Sequence, residues 1–390
     1  MSINILPEVE KISEKIIQTR RDIHQNPELG FQEFRTSALI AKRLEAIGLE
    51  VKTGVGKTGV TGTLTGGKKG PAIAFRADMD ALPMQETGDL SFKSQTDGVM
   101  HACGHDGHVA ILLGVAEILS AQKDMLSGTI KFVFQPAEEG EGGAQYMIAD
   151  GVLDGIEEMY GLHLWNYQQY GTIGVKPGAI LASADIFDLT IRGKGGHGAA
   201  PQGSQDTIIA AAHLITTFQT IVSRNTNPLE STVVSVGTIN GGHSFNIIAD
   251  EVKLTGTTRA YTEDNRLMIK QRMNEIIRGT EVTFGVTIEL NYQDGYPPTI
   301  NDDRVTDRVY KSARKIVEEG VGSPFMSMGG EDFAYYAQKV PACFFMVGSA
   351  PDDDNLMDVP HHCSHFNFNE NALLIGASAL VQIARDRLIF

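Results

Sequence analysis

From Asp185 the chain changes pattern, from strands that alternate with helices to the order strand, helix, strand, strand, helix, strand. The run comprises "DIFDLTIRG", a helix over Asp206 to Ser223, "STVVSVGTI", "EVKLTGTTRAY", a helix over Asp264 to Arg278 and "VTIELNY". This β-α-β-β-α-β order is that of the ferredoxin-like split unit, and about 110 residues is a sensible size for a separate domain. On either side the style differs. Apolar residues Val9, Ile12, Ile16 and Ile23 recur at helical spacing behind Pro7, and a second periodic run, Ala38 to Ile47, closes on Gly48. Strands follow at Gly59 to Leu64, Ala72 to Arg76, Thr129 to Gln135 and Met159 to Trp165, with a helix from Val109 between them. After Pro297 come a helix over Val305 to Glu319, the strand "CFFMVG" and a C-terminal helix from Asn371. The expectation is an α/β domain with a mixed, largely parallel sheet, built from residues 1–183 and 295–390 and interrupted by an inserted domain over 184–294.

The chain has 390 residues and a formal charge of −15, so a nucleic-acid partner, whose phosphates need a basic face, is excluded as an expectation. The longest nearly apolar stretch, Ala372 to Ala384, is broken by Ser378 and Gln382 and is too short to span a bilayer. The opening "MSINILPEVEKISEKI" alternates charged and apolar residues and does not read as a secretory leader. Three cysteines, Cys103, Cys343 and Cys363, are too few and odd in number for a disulfide scaffold. Together these features predict a cytoplasmic protein.

The densest chemistry lies in "HACGHDGH", where Cys103 and His105 are flanked by His101, Asp106 and His108. Thiolate, imidazole and carboxylate are the donors that hold zinc-like cations, and residues two apart can point the same way in extended backbone. Next comes "QPAEEGEGG", with Glu138 and Glu139 at the end of an apolar strand. Adjacent side chains diverge there, so one carboxylate can bind a metal while the other reaches the water beside it. His163 stands within the apolar strand "YGLHLW", and the tail "PHHCSHFNFNE" adds His361, His362, Cys363 and His365. The chain carries no nucleophile elbow, Walker loop or dinucleotide fingerprint. "GKGGHG" around His197 ends a strand of the inserted domain and lacks the Lys-Ser/Thr pair of a phosphate loop.

In order along the chain, "RRDIHQNPELGFQE", "FRADMDALP", "HACGHDGH", "QPAEEGEGGA", "GLHLW", "GKGGHGAAP", "FNIIADEVKLTGTTR", "MGGEDFAYY" and "HHCSHFNFNE" resemble the dinuclear-metal amidohydrolase family of bacterial aminoacylases, hippurate hydrolases, auxin-conjugate hydrolases and related carboxypeptidases. The resemblance implies a metallopeptidase-type catalytic domain with an inserted domain that acts as lid and dimerisation element, hence a homodimer. It implies two divalent ions per subunit (Mn, Zn, Co or Ni) held by Cys103, His105, Glu139, His163 and His362, with Cys103 between them and Asp80 orienting a ligand. The family places a His four residues before the motif's Phe, which selects His362 before Phe366, although the usual Pro is Ser364 here and His361 adjoins. Glu138 is the implied general base, His197 the implied donor to the oxyanion, and Asn246 and Arg259 the implied holders of the substrate carboxylate.

The activity so implied is hydrolysis of the amide bond of an N-acyl-L-amino acid to a carboxylic acid and a free amino acid. A metallocarboxypeptidase for short or N-blocked peptides is the alternative, since both substrates place an amide beside a free carboxylate. A non-catalytic binding protein on the same scaffold would be expected to have lost Glu138 or a ligand first.

Overall fold

The structure is a computed structural model that describes residues 2–351 and 355–389. The chain forms two compact units. The first contains the chain up to Gly178, Ile300–Met326 and the chain from Asp332; the second contains Ala179–Thr299 and Ser327–Glu331.

The first unit is built on an eight-stranded sheet. Its order is Glu50–Val55, Gly59–Thr65, Ser127–Gln135, Lys68–Asp78, Glu158–Trp165, Ala342–Gly348, Ile173–Gly174 and Val321–Gly322. The four central strands, Ser127–Gln135 to Ala342–Gly348, run parallel, while Glu50–Val55 and Gly59–Thr65 add an antiparallel edge. The sheet is therefore mixed with a parallel centre. Its central strands are continuous apolar runs such as Phe132, Val133 and Phe134 or Phe344, Phe345 and Met346, all buried, as expected when helices cover both faces. The helices His105–Ser120 and Ala372–Leu388 are buried almost throughout, and Gly376 lets the second approach the Ile111 side chain of the first. A parallel centre has one functional consequence. The strands ending at Asp78, Gln135 and Trp165 all deliver their C-terminal loops to the same sheet edge, where α/β proteins place ligands.

In the second unit four strands form an antiparallel sheet, ordered Thr232–Gly241, Glu251–Ala260, Ala184–Arg192, Thr287–Tyr296. With the helices Thr207–Thr220 and Glu263–Phe284 the chain order is β-α-β-β-α-β. Asp206 caps the first helix by accepting the N–H groups of Ile208 and Ile209. The second helix runs six residues past the expected Arg278, to Phe284, and stops at Gly285 with φ 70°. Ser327–Glu331 joins this unit through the Ala182 N–H, which donates to the Gly329 carbonyl at 2.9 Å, and the Tyr261 hydroxyl, which donates to the Ser327 carbonyl at 2.9 Å.

The core of this unit centres on Phe187, whose ring meets Phe218 edge-on at 6.2 Å. Phe187→Ala is expected to cost about 3 to 5 kcal/mol, read as a lower denaturant midpoint. An unchanged midpoint would mean that the core collapses onto the gap. Among the described residues, no helix is long and apolar enough to cross a membrane.

Candidate metal centre

Within the first unit, Cys103, His105, Glu138, Glu139, His163 and His362 converge. Three ligand atoms drawn from Cys103, His105 and His163 lie within 4.8 Å of one another, and so do three from Cys103, Glu139 and His362. The two groups meet at Cys103. A further group of the same span joins His105, Glu138 and Glu139.

Local backbone explains how Cys103 and His105 come to share a site. Gly104 takes φ 101°, a left-handed conformation open to glycine, and the helix begins at His105. This start is four residues earlier than the expected Val109. Residues of metal-ligand type read as loop, whereas here they form the first turn of a helix buried on nearly every side, where packing outweighs propensity.

The imidazoles are oriented by hydrogen bonds that leave one nitrogen aimed into the site. His105 Nδ1 donates to the Asp80 carbonyl at 3.0 Å and to Asp80 Oδ1 at 3.2 Å, so Nε2 is the nitrogen left to face the site. Asp80 Oδ2 also accepts the Glu139 N–H at 2.9 Å, so one carboxylate fixes the first residue of the helix His105–Ser120 and a residue of the turn that follows the strand Ser127–Gln135. His163 Nδ1 donates to the Leu164 carbonyl at 2.6 Å and leaves Nε2 at 3.4 Å from Cys103 Sγ. His362 has φ 62°, a half-exposed side chain, and Nε2 at 3.2 Å from Glu139 Oε1.

His361 is placed differently. It is partly buried, and its ring packs against Trp165 at 4.8 Å, Phe366 at 5.0 Å and His163 at 5.2 Å. Its Nε2 accepts the Asn166 N–H at 3.1 Å, which occupies one lone pair.

The electrostatics call for a cation. His105 Nε2 is buried with no hydrogen-bond partner, 3.6 Å from Asp78 Oδ2 and 3.9 Å from Glu139 Oε1. Burial opposes a charge on this imidazole, yet Asp78, Asp80 and Glu139 push its pKa up to about 10. Burial, Glu139, Glu138 and Asp78 push the Cys103 thiol well above its usual range. A thiol there ionises only if positive charge enters beside it, and thiolate, imidazole and carboxylate together suit zinc-like divalent ions. The orphaned imidazole nitrogen and this donor set fit a metal.

Sequence reasoning left Asp78 out, although it sits two residues before Asp80 in the quoted motif "FRADMDALP". Its carboxylate takes Arg76 Nη1 at 2.7 Å and His108 Nδ1 at 2.5 Å. Burial works against its ionisation, but His105, Arg76 and His108 hold it well below the usual carboxylate range. His108 Nε2 in turn accepts the Leu164 N–H at 2.9 Å, and Leu164 is the residue whose carbonyl holds His163. Asp106 was noticed only as a ligand type. It is buried and accepts Arg20 Nε at 2.9 Å and His24 Nδ1 at 2.8 Å, tying the first turn of the His105 helix to an N-terminal helix.

His197, Asn246 and Arg259 belong to the second unit. His197 pairs with Ile247 in a two-stranded ladder, and the Gly198 N–H donates to the Asn246 carbonyl at 2.8 Å. Both His197 and Asn246 are exposed. Arg259 is half-buried and donates from Nη1 to the Thr258 carbonyl at 2.9 Å and to the Thr257 hydroxyl.

Residues 74–386 match the profile of Peptidase family M20/M25/M40. The chain belongs to this family. It is similar to an N-acetyl-L-cysteine deacetylase of Bacillus subtilis, 41% identical over 96% of this chain and 88% of the relative. A thermostable carboxypeptidase of Saccharolobus solfataricus is 41% identical over 97% and 96% of the two chains. Among solved structures, the Bacillus subtilis YXEP protein, described as a dinuclear metal binding peptidase of family M20, superposes with a TM-score of 0.84 at 34% identity over 96% of this chain and 98% of that one. As a member of the M20/M25/M40 family, the protein is a metal-dependent amide hydrolase acting on small molecules.

Proposed function

We propose that the protein hydrolyses N-acyl-L-amino acids to a carboxylic acid and a free amino acid, using two divalent cations drawn from Mn, Zn, Co or Ni. The observation that carries this reading is the pair of ligand groups that share Cys103, with Glu138 beside them. Cys103, His105 and His163 would hold one ion, and Cys103, Glu139 and His362 the other. The deacetylase relative supports an acyl amino acid as substrate.

The cations supply Lewis acidity, which polarises the scissile carbonyl and acidifies water. The remaining chemistry belongs to side chains. Glu138 accepts the proton of the attacking water on its carboxylate and returns it to the departing amine. Asp80 keeps His105 in the Nδ1–H tautomer and keeps the Glu139 backbone in place, so that each presents its lone pairs inward. We assign His197 to the oxyanion and Asn246 and Arg259 to the substrate's free carboxylate; the guanidinium fork suits a carboxylate. We further infer a homodimer through the second unit. In support, the strand Thr232–Gly241 lies at the edge of its sheet, and Ile239 and Phe245 are exposed on or just after it. A cytoplasmic address belongs to the same reading.

The test is release of free amino acid from N-acetyl-Met, hippurate, an indoleacetyl amino acid and a blocked dipeptide, by metal-stripped protein with Mn, Co, Zn or Ni restored. Metal-dependent cleavage of acyl amino acids is the expected result. The carboxypeptidase relative favours the second reading, and cleavage of the dipeptide alone would establish it. No cleavage with metal bound would overturn both.

A further inference from the structure

Among the described residues, four that are not glycine have positive φ: Phe31 (59°), Lys57 (80°), Ala137 (53°) and His362 (62°). Such backbone is unfavourable for a residue with a Cβ and persists only where its surroundings impose it. His362 belongs to the metal centre. The other three surround one buried carboxylate, Glu33, which lies in the N-terminal motif "NPELGFQE" that the proposed chemistry leaves unused.

Ala137 immediately precedes Glu138. Its N–H donates to Glu33 Oε1 at 2.9 Å, and its carbonyl accepts the Gly143 N–H at 3.0 Å. The turn between them leaves no slack, since a Cβ on Gly143 would lie 1.8 Å from the Pro136 carbonyl oxygen. The second oxygen of Glu33 accepts the Thr58 hydroxyl, and Ser37 Oγ donates to the Thr58 carbonyl, so the loop through Lys57 is tied to the helix that follows Glu33. The same loop is clamped on its far side. The Lys57 ammonium lies 3.5 Å from the centre of the Phe31 ring and 4.2 Å from that of Tyr146, and the Gly56 N–H donates to Asp150 Oδ2 at 2.7 Å. Phe31 and Tyr146 meet edge-on at 5.1 Å. Three separate pieces of chain, around residues 31–37, 56–58 and 137–150, therefore form one closed bracket, with Glu33 bonded to the other two.

We propose that Glu33 is a positioning residue for Glu138: by accepting the Ala137 N–H it holds the Pro136–Glu138 turn in its left-handed conformation and so aims the Glu138 carboxylate. This rests on the assignment of Glu138 as general base. Glu33 is not among the proposed ligands; it acts through one backbone bond. Burial pushes its carboxyl up to about 7, against the pull of the Thr58 and Ala137 bonds, so its neutral form is close at hand and Gln is a fair mimic. The Gln amide oxygen can accept from Ala137 while its NH2 faces the Thr58 hydroxyl.

The experiment compares Glu33→Ala, Glu33→Asp, Glu33→Gln and Glu138→Gln as purified, metal-loaded full-length proteins on N-acetyl-Met, measuring kcat, KM, metal content and melting temperature. Glu33→Ala and Glu33→Asp, which lose or shorten the acceptor, are expected to lower kcat about 100-fold, the scale of an ångström-level misplacement. KM and metal content should stay within about threefold, and Glu33→Gln should retain kcat within the same margin. Ala137→Gly placed on the Glu33→Ala background should recover part of the loss, because glycine takes positive φ without the bracket. If Glu33→Ala does not fold, Glu33→Asp decides. Wild-type kcat in a folded Ala or Asp variant overturns the proposal, and so does Glu33→Gln as impaired as Glu33→Ala. Metal content falling in step with kcat also overturns it. A fully active Glu138→Gln would instead remove the base assignment on which the proposal stands.

Discussion

Glu138→Gln is expected to lower kcat by about 100- to 10,000-fold while leaving the fold and the metal content unchanged. The substitution keeps the shape of a buried side chain and removes only the ability to take and return a proton. In the proposed mechanism the attacking water gives up a proton and the departing amine needs one, and Glu138 is the carboxylate that stands beside the two ligand groups meeting at Cys103 and belongs to neither. Glu139→Gln separates the two roles. Its carboxylate lies 3.2 Å from His362 Nε2 and shares a group with Cys103, so weakening it is expected to reduce metal content as well as turnover. The measurement is kcat on N-acetyl-Met with metal determined on the same sample. If Glu138→Gln turned over near the wild-type rate with full metal, the base would have to be sought elsewhere. If the two variants exchanged phenotypes, the roles of the neighbours would be reversed.

The parts of this architecture legible in the sequence are those that periodicity and residue chemistry encode locally. The switch at Asp185 from alternating strands and helices to β-α-β-β-α-β is visible because each element is an apolar run with its own period. The donors of "HACGHDGH" and "QPAEEG" are visible because few other chemistries need thiol, imidazole and paired carboxylates so close together. The supports of these donors are a different matter. Asp78 meets His108 thirty residues along the chain, Arg20 meets Asp106 across eighty-six, and Glu33 meets the Ala137 N–H across one hundred and four. No local pattern announces such pairs, because the second partner is often a backbone N–H that carries no residue identity. The early start of the His105 helix was hidden for a related reason, since its first turn is chosen by burial and by the left-handed Gly104 rather than by propensity. His361 and His362 are neighbours of one residue type, and what distinguishes them is direction: the first is packed among aromatic rings with Nε2 taken by Asn166, and the second reaches Glu139.

Cys103→Ala is expected to cost more metal than any other single change at the centre, because Cys103 is the member common to both ligand groups. Replacing a hydrogen-bond partner of a ligand typically lowers metal affinity or activity about 10- to 100-fold, and losing a donor shared by two positions should exceed that. The remaining charge pattern points the same way. Burial, and after it Glu139, Glu138 and Asp78, push the Cys103 thiol well above its usual range, so this carboxylate-rich site gains from positive charge. Removing the thiolate leaves the carboxylates but takes away the soft donor that joins the two halves. Metal binding to the folded state alone adds about 4 kcal/mol at a thousandfold excess over Kd, so the wild-type protein should melt higher after Mn, Co or Zn is restored to a stripped sample. In Cys103→Ala that increment should shrink along with the bound metal and the turnover, while the metal-free protein melts near the wild-type metal-free value. Full metal content and an undiminished melting increment in Cys103→Ala would show that the two ligand groups close without the sulfur, and the shared-donor arrangement would have to be abandoned.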